Sequence, residues 1–144
     1  MYTRKPLFHA WGALDRGRFV AGMLFVLGAL LTLALVTLNG QTRGNMGGTS
    51  FGVNLVLMAV LVFLFVPLTL RRTLDLGWSV PKAFLGVIGS IMLFPLLTLV
   101  FMAVPGRGAD DADAPPPLPM LAVIAAPVAG VAAAMMVSVV FSRF

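Results

Sequence analysis

Arg71-Arg72-Thr73-Leu74-Asp75 and Lys82 form one compact cluster of charge between two long apolar runs. Asp75 lies three and four residues after Arg72 and Arg71, the spacing at which side chains meet on a helix, so it pairs with either if the helix continues. Basic groups beside an apolar run also attract an anionic leaflet, each gaining about 1 kcal/mol. With Arg16 and Arg18, the cluster is a candidate contact for a lipid headgroup or a partner's acidic patch. The plainer reading is a topology signal plus a local ion pair. A lipid-modifying reaction through Asp75 and the arginines is the least favoured use.

Other reactive groups are scarce. The sequence has no cysteine and no glutamate, and His9 is its single histidine. Asp110, Asp111 and Asp113 fall in a proline-rich stretch without the spaced oxygen donors of a calcium loop. No nucleophile–base pair is visible. Catalysis, bound metal and cofactor are therefore not expected.

The elements around the cluster follow from composition. The chain has 144 residues, 60% hydrophobic and 10% charged, with a mean hydropathy of +1.02. A soluble domain carries about a quarter charged residues. Here there is too little polar surface to cover a globule, so hydrocarbon is the expected solvent. The net charge of +5 sits at the ends of apolar runs and points to an anionic membrane surface, not to nucleic acid.

Residues 1–18 form a basic segment with a candidate interfacial helix near Phe8–Leu14. Four spans follow, at about 19–38, 53–70, 83–104 and 119–141, with a tail at 142–144. Each is close to the roughly 20 residues needed to cross about 30 Å of hydrocarbon. The first is too long for a signal-peptide core and is read as uncleaved. Gly77 suits the C-terminal cap of the second helix, Ser79 the start of the next. Pro95 removes a hydrogen bond to the Ile91 carbonyl and predicts a kink within the third span. The expected fold is all-α, an integral membrane four-helix bundle.

Orientation follows from Lys and Arg, which favour the cytoplasmic side. Arg4, Lys5, Arg16, Arg18, Arg71, Arg72, Lys82 and Arg143 fall on one side of a four-span chain, Arg43 and Arg107 on the other. Both termini are expected in the cytoplasm.

Helices in lipid pack closely where small residues let their backbones approach. Ala122, Ala126, Gly130, Ala134 and Ser138 recur every four residues in the last span, and Gly86 and Ser90 make a shorter version in the third. Internal packing, the third span against the fourth, is the favoured reading. Docking of a partner helix is the alternative. No span contains Asp, Glu, Lys, Arg or His. Such groups usually mark ion or proton pathways, so their absence weighs against coupled transport. Asn54 and the span threonines and serines are expected to return their polar groups to helix carbonyls.

The cluster also resembles a motif of the domain-of-unknown-function 805 family of small bacterial inner-membrane proteins. That family carries Arg-Arg-Leu-His-Asp-Ile-Gly-x-Ser-Gly-Trp after its second span. Arg71, Arg72, Asp75, Gly77 and Ser79 fit, while Leu74 replaces the histidine and the Gly-Trp pair is displaced. Gly12, Arg16 and Phe19 match a second pattern near the N-terminus, from which Ala13 and Val20 depart. The resemblance covers residues 8–106 and implies a bacterial inner-membrane location and a helical bundle, but no activity. The functional expectation is an accessory or scaffolding subunit docking to another membrane protein, or to itself, through small-residue faces. A small oligomeric transporter or pore is the alternative.

Overall fold

The computed structural model describes residues 16–44, 47–104 and 118–141. The interfacial segment near Phe8–Leu14, the aspartates of 105–117 and the tail at 142–144 lie outside them. The described residues form five helices and no strand: α1 (Arg16–Thr42), α2 (Gly48–Asp75), α3 (Val80–Met92), α4 (Leu96–Ala103) and α5 (Met120–Phe141).

Three of these, α1, α2 and α5, are long and apolar enough to cross a membrane. The helices α1 and α2, of 27 and 28 residues, overrun the apolar runs that announced them. An apolar run measures hydrocarbon thickness, whereas a helix continues while its backbone bonds are met. The loop expected over 39–52 is correspondingly short. Arg43 N–H still bonds the Asn39 carbonyl at 3.2 Å before Gly44, at φ +65°, ends the turn.

The end of α2 is as expected. Gly77 adopts φ +80°, and Trp78 N–H bonds the Thr73 carbonyl at 3.1 Å while Gly77 N–H bonds that of Leu74 at 3.0 Å. This pair of bonds satisfies carbonyls that the last turn leaves open, and it needs the left-handed conformation glycine adopts freely. Ser79 stands at the N-cap of α3, but its hydroxyl makes no capping bond.

The third span departs from expectation. It is not one kinked helix but two short ones, α3 of 13 residues and α4 of 8, separated by Leu93-Phe94-Pro95. The chain reverses there. Trp78, just before α3, packs edge-on against Phe101 near the end of α4, with ring centroids 5.9 Å apart at 84°. A straight continuation would carry Phe101 far from Trp78. Pro95 contributes to the interruption by lacking the N–H and crowding the preceding turn, but Pro67 and Pro127 sit inside continuous helices, so the break also needs the contacts that receive α4.

The direction of α5 is the second departure. Gly28 lies against Pro127, Gly130 against Phe25 and Ala29, and Ala134 clusters with Ala29 and Leu33. These contacts place the middle of α5 on the middle of α1, and only five residues separate the end of α1 from the start of α2, so a bond from Ser50 to Phe141 sets α1 and α5 parallel. Ser50 Oγ donates to the Phe141 carbonyl at 2.9 Å, tying the end of α5 to the start of α2. The start of α1 and the end of α5 therefore stand at opposite ends of the bundle, unlike the same-side termini expected from four crossings.

Two apolar clusters hold the helices together. One joins Phe19, Met23, Phe65 and Phe101, and the other Ala29, Leu33 and Ala134. Large apolar side chains also face outward, including Phe63 at 75% and Leu121 at 78% exposure. Hydrocarbon suits such a surface; water does not.

Candidate functional site

The charge cluster closes around the end of α4. An eight-residue helix leaves its last carbonyls without partners inside the helix, at the negative end of its dipole. Arginines take these positions. Arg72 Nε donates to the Phe101 carbonyl at 3.1 Å, and its Nη2 donates to the Val104 carbonyl. Arg16 Nε donates to the Met102 carbonyl at 2.8 Å. The remaining amino group of Arg72, Nη1, meets Asp75 Oδ2 at 2.5 Å. Phe19 presents its ring 5.9 Å from the guanidinium carbon, a further favourable contact for a cation.

The spacing reading of Asp75 thus holds with Arg72. The pair's side chains are 0% and 1% exposed, so they face α4 and each other rather than a headgroup. Arg18 and Arg71 are buried as well, at 9% and 3% exposure, and both are engaged. Only Arg16 and Lys82 of the named cluster are exposed. Neighbouring Thr73 bonds its hydroxyl to the Leu70 carbonyl at 2.8 Å. Chemically the site is a clamp: a forked cation spans two carbonyls and a carboxylate, which a guanidinium does in a fixed plane. Among the described residues, no group of three His, Cys, Asp or Glu converges to hold a metal.

No family model, no curated protein and no solved structure matches the chain.

The small-residue faces have definite partners. Gly130 and Ala134 are buried, Ala122, Ala126 and Ser138 half-buried, and the central contact is with α1. Gly86 packs on Thr73 and Trp78, and Ser90 returns its hydroxyl to the Gly86 carbonyl at 2.9 Å. No Cα of α3 or α4 comes within 8 Å of α5. The expected closure of the third span on the fourth does not occur, because α2 and α1 take those faces.

Thr32 and Thr37 bond carbonyls one turn back, at 2.8 and 2.7 Å, as the sequence suggests. Asn54 does not. Its side-chain amide, 2% exposed as a residue, donates to Thr37 Oγ1 at 3.1 Å and links α2 to α1. Asn54→Val is expected to cost about 0.6 kcal/mol, and at most about 1.7, the usual range for such bonds between membrane helices. Unfolding in detergent would measure it, and a Thr37→Val partner would give the coupling. Thr69, Thr98 and Ser138 also depart from the expected carbonyl bonds: their hydroxyls are buried and make no hydrogen bond to the described residues.

Proposed function

We propose that the chain is a non-enzymatic integral membrane protein of the bacterial inner membrane, an accessory or scaffolding subunit for another membrane protein. One observation carries this reading. The buried guanidinium–carboxylate pair, the most reactive-looking group among the described residues, is committed to the end of α4 and holds the fold. What the described helices offer outward along their length is mostly apolar surface. On α5 the face left uncovered by α1 carries Ile124, Ala125, Val128, Ala129 and Ala132, all exposed. Docking would use this face, not the Gly130 face that α1 already occupies. Exposed Arg16 and Lys82 suit an anionic cytoplasmic leaflet. Purification in mild detergent is expected to recover a larger membrane protein with the chain. A lone, monodisperse monomer would overturn the proposal.

The second reading, a small oligomeric transporter or pore, has one observation in its favour. Thr69 and Thr98, with unpartnered buried hydroxyls, lie on α2 and α4 within one turn of the clamp residues Arg72 and Phe101. Non-helical backbone at membrane depth is tolerated where it is buried in protein or lines a wet cavity. Solute flux through liposomes containing only this protein would favour transport, and intact liposome impermeability would exclude it.

A further inference from the structure

We infer that the third apolar stretch is re-entrant: α3 goes into the bilayer and α4 returns to the same side, so the chain crosses three times and α5 ends across the membrane from the start of α1. This rests on the membrane reading above. Depth is the first argument. Phe94, at the turn, packs against Phe65 of α2 with centroids 6.1 Å apart. Phe65 precedes Arg71 by six residues, about 9 Å of helical rise, against about 30 Å of hydrocarbon. The hairpin turns well short of the far side. Length agrees: 13 and 8 residues rise about 20 and 12 Å, and neither spans alone.

The return is the second argument. Phe101 reaches Trp78, while the Phe101 and Val104 carbonyls reach Arg72 and that of Met102 reaches Arg16. Arg16 begins α1 and Arg72 ends α2, so α4 finishes at the end of the bundle where α3 started. The parallel course of α1 and α5 is the third argument: the Ser50–Phe141 bond puts the end of α5 beside the start of α2, next to the end of α1.

Charge is consistent with this topology but does not select it. Relative to four crossings, only Arg107 and Arg143 exchange sides, so the basic residues still divide eight to two with the start of α1 in the cytoplasm.

Because the chain has no cysteine, single-cysteine variants test the inference directly. Thr49→Cys and Ser79→Cys serve as references at opposite ends of α2, and Ala109→Cys and Ser142→Cys are the reporters. Each is exposed to a membrane-impermeant maleimide in sealed vesicles of known sidedness. Position 109 is expected to label from the same side as 79, and 142 from the same side as 49. Any other grouping overturns the re-entrant hairpin, and 109 with 49 plus 142 with 79 would restore four crossings. If the references themselves label from one side, or the protein is recovered without membranes, the membrane reading fails instead.

Discussion

Alanine at position 130 is expected to push α1 and α5 apart. In an ordinary helix interior, Gly→Ala stabilises by about 1 kcal/mol. Here the sign reverses. A Cβ at 130 would collide with the Phe25 carbonyl oxygen, with the Phe25 carbonyl carbon at 3.1 Å and the Ala29 nitrogen at 3.2 Å. All three are backbone atoms, so no side chain can rotate aside. Overpacking of this kind costs about 1–3 kcal/mol, and Gly130→Leu should exceed that range and deplete the folded protein from membranes. Gly28 makes the reciprocal contact, its added Cβ falling 2.8 Å from the Pro127 carbonyl oxygen. Unfolding midpoints in detergent for Gly130→Ala and Gly28→Ala should both fall. Ala129→Leu, on the exposed side of α5, is the control and should leave the midpoint near that of the parent. An unchanged Gly130→Ala midpoint would mean the two helices are not in backbone contact.

Arg72→Met should be at least as damaging, for electrostatic reasons. It deletes donors to two carbonyls at the end of α4 and leaves the buried Asp75 carboxylate without that guanidinium. Removing one partner of a buried ion pair costs about 3–5 kcal/mol. Arg72→Lys keeps the charge but loses the fork, and should fall between parent and Met. The double variant Arg72→Met/Asp75→Leu should recover part of the loss, because a buried pair is often replaced by apolar groups without cost. Recovery should stay incomplete, since the Phe101 and Val104 carbonyls would still lack donors. A thermal or denaturant series on the four proteins checks this order. Equal stability of Arg72→Met and parent would remove the clamp.

Much of the fold was legible in the chain because hydrocarbon imposes simple rules. Uncharged runs of sufficient length located α1, α2 and α5, and the Gly77 cap was readable from one residue's backbone freedom. Pro95 marked an interruption, but a missing N–H says nothing about the angle that follows. That angle depends on Arg72 and Trp78 receiving α4, which are distant in sequence from Phe101 and Val104. The small face of α5 was visible in its four-residue repeat, yet small residues specify closeness, not a partner. Gly28 and Pro127, which complete that contact, carry no such repeat: one is a glycine in the middle of an apolar span and the other lies among alanines. The Lys and Arg distribution was blind to the hairpin, because two single arginines simply trade places.

The pairing of α1 with α5 also fixes an order of events during synthesis. Gly28 and Pro127 are separated by about a hundred residues. A ribosome adding about 5–20 residues per second delivers the second some 5–20 s after the first. Throughout that interval α1 is in place while its mate has yet to be made. A nascent chain stalled or cut before Met120 would leave the Gly28 face of α1 without the backbone that packs on it.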